Sequence, residues 1–198
     1  MREKKDEAES TIWEIGFDGK NEKKLTTGRW PMWSPDGKQL AFSRGGEPGL
    51  GVRPKSEIHL ADADGGNAMF FTLGDCPSWA PDGKGMVNAY APDAEKPSAL
   101  FYHDFPKRGR FLGIGWYRAT FADQGKAVLA IGFAPGHPVG PMVYTLAGEP
   151  DPKPFAVAGL TRPESPCVTR DGKSVVLAYK ALFSRSDFDQ LVRLHAAK

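Results

Sequence analysis

Apolar residues in this chain fall in short runs, alternating or unbroken, each bounded by Gly, Pro, Asp or Lys. Gln39–Ser43, Glu57–Leu60, Met69–Thr72, Met86–Tyr90, Leu100–His103, Val128–Ile131, Met142–Leu146, Val175–Tyr179 and Leu191–His195 all read this way. Short runs rich in β-branched and aromatic residues between turn formers are strand signals. Helical period is nearly absent, and Phe183–Leu194 is the stretch that comes nearest to it.

The sharpest unit is Trp33–Ser43. A strand ends at Trp33, Pro35, Asp36 and Gly37 make a turn, and Leu40–Ser43 returns as a second strand. Pro presets φ for the second residue of a type I turn, Asp suits the third, and Gly takes the left-handed position of a bulged hairpin. Weaker copies follow at Trp79–Lys84, Phe121–Lys126 and Val168–Lys173. The turn glycines Gly37, Gly83, Gly125 and Gly172 lie 46, 42 and 47 residues apart. That period is the size of one four-stranded propeller blade. The predicted fold class is therefore all-β, a β-propeller or propeller arc of four-stranded antiparallel blades.

Residues 1–10 are charged and aperiodic and are expected to fray. The strands at Ile12 and Leu25 form an N-terminal half-repeat, 11–28, equivalent to the outer two strands of a blade. Repeats follow at 29–74, 75–115, 116–159 and 160–198, with strands A to D from the axis outward and no D strand in the last. These complementary ends predict ring closure, Lys24–Thr26 pairing with Leu191–His195. A piece of a longer ring, or two chains joined through open ends, are the alternatives. Trp33 and Trp79 are expected to fill the wedges between blades, each burial contributing about 2–3 kcal/mol.

The Trp-Ser-Pro-Asp-Gly-Lys hairpin at Trp33–Lys38, the strand after it and the Asp-x-Asp-Gly-Gly turn at Asp62–Gly66 resemble the TolB-type, WD-like β-propeller repeat. Trp79–Lys84 matches nearly as well, the last two repeats only at Gly-Lys and the following strand. The resemblance covers about 12–195. It implies a bacterial propeller of the kind found in extracytoplasmic partner-binding proteins and as an accessory domain in hydrolases. The motif residues build turns and blade contacts, so they specify fold and not function. The resemblance implies a periplasmic or other extracytoplasmic site. The chain as written, with no apolar segment in Met1–Ser10, carries no signal peptide and reads as cytoplasmic.

Composition adds less. A formal charge of +2 from 26 basic and 24 acidic residues selects neither nucleic acid nor an anionic membrane. No apolar run is long enough for a transmembrane helix. Cys76 and Cys167 lack a disulfide framework or metal spacing and read as buried small hydrophobes. Asp62–Asn67 has the carboxylates of a calcium loop but not its distal Glu, and a C–D turn needs the same residues. His59, His103 and His195 fall on C strands as packing residues, whereas His137 lies in a Gly/Pro loop. The chain has no nucleophile elbow, His-Glu-x-x-His, P-loop or Cys-x-x-Cys. No catalytic residue, metal or cofactor is predicted.

In a meander blade the A–B and C–D turns share one face, and the B–C and D–A connections share the other. The long irregular loops therefore gather on one face, where function usually sits. Candidate partner-binding residues there are Arg29, Arg44, Arg53, Asp75, His137, Arg162, Glu164 and Arg185, a mildly basic set suited to an acidic segment. The sequence predicts a non-catalytic binding or scaffold propeller for a protein or peptide partner, with a homodimer if the ring is open. The alternative is the accessory propeller of a peptidase-like hydrolase or carbohydrate-active enzyme whose catalytic part lies outside this chain.

Overall fold

The computed structural model describes residues 10–46, 52–93, 96, 98–105, 109–133, 140–147, 152–154, 163–169, 174–179 and 190–195. Strands form where the hydrophobic runs predict them. The one helical element among these residues is a 3-10 turn, Asp123–Gly125. β1 (Thr11–Glu14) and β2 (Lys23–Thr27) make the two-stranded half-repeat. The first full blade is β3 (Arg29–Trp33), β4 (Gln39–Gly45), β5 (Ser56–Asp62) and β6 (Met69–Leu73), antiparallel and in chain order. The second is β7 (Asp75–Trp79), β8 (Gly85–Tyr90), β9 (Ala99–Asp104) and the first part of β10 (Gly109–Ala122). The rest of β10 joins β11 (Ala127–Phe133), β12 (Gly140–Thr145) and β13 (Pro152–Pro154) as the third. β14 (Pro163–Val168), β15 (Ser174–Tyr179) and β16 (Gln190–His195) form a three-stranded last blade, which makes the end of the Phe183–Leu194 stretch a strand; 183–189 lie outside the described residues.

The sequence reading separates strand D of the second repeat from strand A of the third, but the chain runs through as β10. Ile114 faces Ala99 of β9 on one side and Phe133 of β11 on the other. Register shifts between Phe111 and Gly113 and between Trp116 and Thr120 bend the strand. Bulges of this kind let one strand leave the outer edge of one blade and become the inner edge of the next. The third hairpin also differs. Lacking Pro, it turns through Asp123 and Gln124 at φ 46° and 52°, a conformation that Pro35 and Pro81 forbid in the first two.

Neighbouring residues of a strand point to opposite faces, and every inner blade is covered on both. Leu40 and Phe42 pack with Ile12 and Ala61 toward the half-repeat. Ala41 and Ile58 meet Trp79 and Met86 of the second blade. Val87, Leu100 and Leu112 meet Phe121, Val128, Ala130, Met142 and Tyr144 of the third. Leu129 meets Val175 of the last. Burial on both faces is why many of the runs are unbroken instead of alternating.

Three expectations are corrected. Trp79 is 7% exposed and its indole N–H donates to the Met32 carbonyl at 3.2 Å, but Trp33 is 42% exposed. An inner strand is covered by the inner strands of the preceding blade, and before the first blade stand only β1 and β2, which are outer ones. Cys76 is buried, whereas Cys167 is exposed, because Val168 beside it takes the face turned toward the third blade. Ring closure is also not seen. Among the described residues β2 pairs with β1 and β16 with β15, so β1 occupies the edge that β16 would need.

Candidate binding face

The two faces of the blades differ as the meander requires. On one, the A–B turns stack in series. A Cβ built on Gly83 would meet Pro35 at 3.8 Å, and one on Gly125 would meet Pro81 at 3.2 Å. The Asp62–Asn67 turn is closed by Gly65 N–H to Asp62 O (2.9 Å) and Asp62 N–H to Gly66 O (3.0 Å). Its carboxylates serve the turn. Asp64 accepts from Gly66 N–H at 2.9 Å and Asp62 from the Asn67 amide at 2.6 Å. Among the described residues no cluster of His, Cys, Asp and Glu is arranged to hold a metal ion.

On the other face a repeated clasp holds the loop roots. Gly28 N–H donates to Ser10 O (2.7 Å), Gly74 N–H to Ser56 O (2.7 Å) and Gly115 N–H to Ser98 O (3.0 Å). Each serine precedes or opens a C strand, and each glycine ends a D segment. Ser56 and Ser98 are buried, and their hydroxyls donate to Arg53 O at 2.7 Å and to Gly115 O. This Ser-to-Gly spacing of 18, 18 and 17 residues is a signal in the sequence that the hairpin motif overshadows.

Three of the predicted site residues meet at this clasp. Asp75 is fully buried at the start of β7. Its Oδ2 accepts from Arg53 N–H at 2.9 Å and from Arg29 Nη2 at 3.3 Å, and its Oδ1 from Cys76 N–H at 3.0 Å. Arg29 donates further to Gly45 O (2.6 Å) and Ser56 Oγ (2.5 Å), while its Nε is buried without a partner among the described residues. Arg29 and Asp75 are therefore spent on each other and on the backbone and Ser56 around them. They tie the first blade to the second and fix the segment that carries Arg53. Arg53 as a residue is half-buried, and its guanidinium makes no hydrogen bond or ion pair with a described residue. Arg44 reaches from the end of β4 to Thr27 O (3.0 Å) and Thr26 Oγ1 (2.7 Å), and its guanidinium lies 4.9 Å above the Phe42 ring. Glu164 sits on β14 opposite Ala178, with its side chain outside the described part. His137, Arg162 and Arg185 lie outside the described residues.

Two of the three C-strand histidines are seen to pack, and the side chain of His195 lies outside the described part. His59 stacks on Phe42 with ring centroids 5.9 Å apart and bonds Glu57 at 3.0 Å. His103 is buried and bonds Asn88.

Blades of four antiparallel strands, joined by Gly-marked junctions and stacked A–B turns, define the fold class, a β-propeller of the TolB type. TolB from Acinetobacter baumannii superposes with a TM-score of 0.72 at 19% identity, over 93% of this chain and 46% of that one. A TolB candidate from Agrobacterium tumefaciens gives 0.73 at 16% identity, over 95% and 71%. An oligogalacturonate lyase in complex with manganese gives 0.64 at 14% identity, over 93% and 53%. The chain thus spans about half the length of the first of these structures. No protein-family model matches the sequence, and no curated protein matches it. No helix among the described residues is long and apolar enough to cross a membrane.

Proposed function

We propose that this chain is a non-catalytic binding module that takes a protein or peptide segment on the face formed by its B–C and D–A connections. The observation that carries this reading is the Asp75 clasp. A buried carboxylate fixes the end of the 46–55 loop through Arg53 N–H and the start of the second blade through Cys76 N–H. Function-bearing loops work best when a rigid scaffold positions them, and here the scaffold reaches into the loop itself. Arg53 is held by its backbone with its guanidinium left for a ligand. Arg44 adds a second cation already oriented on Phe42. The partner suited to this pair is an extended acidic segment, and the TolB-like fold supports an extracytoplasmic setting.

The test is fluorescence anisotropy with labelled acidic and basic peptides. Acidic peptides are expected to bind, more weakly as salt rises. Arg53→Glu should weaken binding by about tenfold, equivalent to 1.4 kcal/mol. Lys38→Glu, on the turn face, should leave it unchanged. Equal effects of the two variants, or no preference between the peptide classes, overturns the proposal.

A further inference from the structure

Propeller blades diverge away from the axis, and between the outer parts of the first and second blades the structure leaves a pocket of about 390 Å³. It is lined by Thr72 and Leu73 of β6, Tyr90 of β8, Phe101 and His103 of β9, and Gly109 of β10. The pocket is remote from the Asp75 clasp in its chemistry. Its walls are mostly apolar, none of its lining residues carries a formal charge with His103 neutral, and Phe101 meets Tyr90 and Phe111 edge-on at 6.4 and 5.9 Å. The volume is at the small end of the range of about 300–1,000 Å³ typical of small-molecule sites.

One polar atom gives the pocket a direction. His103 is 8% exposed, and its Nε2 lies 2.7 Å from Asn88 Oδ1. The tautomer follows from Asn88, which is itself 1% exposed. Its Nδ2 faces two carbonyl oxygens, Leu73 O at 3.3 Å and Ala89 O at 3.4 Å, so its Oδ1 must be the atom turned to the imidazole. An amide oxygen only accepts, so Nε2 carries the hydrogen and Nδ1 of the neutral ring presents a lone pair. Burial lowers the His103 pKa and keeps the ring in that neutral form. The Cε1–Nδ1 edge lies against Gly109, where any Cβ would collide with the ring, and Nδ1 accepts no hydrogen bond from a described residue. Nδ1 is not among the buried atoms left without a partner, so it opens to the pocket, where the donor of a ligand can take the place of water.

We propose that this wedge binds a neutral aromatic compound bearing one hydrogen-bond donor, a phenol or an indole, whose O–H or N–H donates to Nδ1 of His103. The ring of the ligand takes the apolar space against Phe101, Tyr90 and Leu73. A charged ligand is disfavoured because no lining residue supplies a counter-charge.

The experiment uses protein labelled with 15N at histidine and follows the ring nitrogens by NMR during titration with p-cresol, indole and toluene. Saturable movement of the His103 Nδ1 resonance by p-cresol and indole, with toluene at least about tenfold weaker, supports the site. A pocket built to bond a donor rejects the analogue that lacks it. His103→Phe keeps the aromatic wall and should abolish the difference between p-cresol and toluene, with binding to this variant read from the ligands' own proton signals by saturation transfer. Gly109→Val, checked for folding by the unchanged signals of the other histidines, should block all three. A short uncharged peptide with a central tyrosine distinguishes a free small molecule from a presented side chain, and saturation of His103 by either supports the same chemistry. Equal binding of p-cresol and toluene to the parent protein, or no saturable shift of His103 with any of these probes, overturns the proposal.

Discussion

Asp75 and Arg29 offer the most direct test of how the blades are joined. Asp75→Ala removes the acceptor of three donors and leaves the Arg29 guanidinium, only 14% exposed, without its counter-charge. Removing one partner of a buried ion pair costs about 3–5 kcal/mol, mostly through the charge left behind. Arg29→Met keeps the aliphatic stem and leaves Asp75 with two backbone N–H donors, so its cost is expected nearer 2–3 kcal/mol, a charged hydrogen bond lost. The double variant strands no charge. It should therefore lose less than the sum of the singles, with a coupling of about 1–3 kcal/mol. Urea unfolding followed by Trp fluorescence reports it, since Trp79 sits in the same interface and bonds Met32 across it. Stability changes that add to within about 0.5 kcal/mol would refute the reasoning, because the two charges would then not act on each other.

Trp79→Ala should cost about 3–5 kcal/mol as a buried aromatic truncation, whereas Trp33→Ala, at a position 42% exposed, should cost about 1 kcal/mol or less in the same urea melts. Burial pushes the Tyr144 phenol up to about 12, and its O–H donates to Ile114 O at 2.8 Å. The unfolded chain releases this proton first, near pH 10, so stability should fall as pH rises from 10 toward 12. Tyr144→Phe should lose about 0.5–1.5 kcal/mol at pH 7 and lack that alkaline decline. His103 has its pKa lowered by burial, so below the ordinary value of 6.5 the unfolded chain takes up the proton first. Its contribution is thus complete above that value and lost progressively as pH falls through the folded pKa. Melts at pH 8 and 5.5 should show a smaller difference for His103→Gln than for the parent.

The parts of the structure that were legible in the sequence are those set by local backbone chemistry. Pro35-Asp36-Gly37 and Asp64-Gly65-Gly66 dictate turns by themselves, and the strand runs between them follow. Where the determinant is a neighbouring blade, the local pattern is silent. Trp33 and Trp79 occupy the same place in the same motif, yet one is exposed because the blade before it has only outer strands. Arg29 and Asp75 read as loop-face ligands because charge near a loop suggests solvent. Their partnership depends on a junction 46 residues away along the chain. The His103 pocket is equally hidden, since a histidine on a C strand reads as a packing residue and its free nitrogen depends on the orientation of the Asn88 amide.

The clasp also shows what the decay of the repeats accomplishes. Gly28-Arg29-Trp30-Pro31 and Gly74-Asp75-Cys76-Pro77 are one backbone device used twice. The glycine N–H is held by a serine carbonyl, and the residue before proline is left-handed, Trp30 at φ 54° and Cys76 at φ 53°. Glycine and proline stay fixed because the backbone path needs them. The residue after the glycine faces the neighbouring blade and is the one that changes sign. Were the blades identical, this junction would bury arginine against arginine or aspartate against aspartate, and neither arrangement neutralises its charge. Divergence at that position therefore builds the interface between the first two blades, and it fixes which blade follows which.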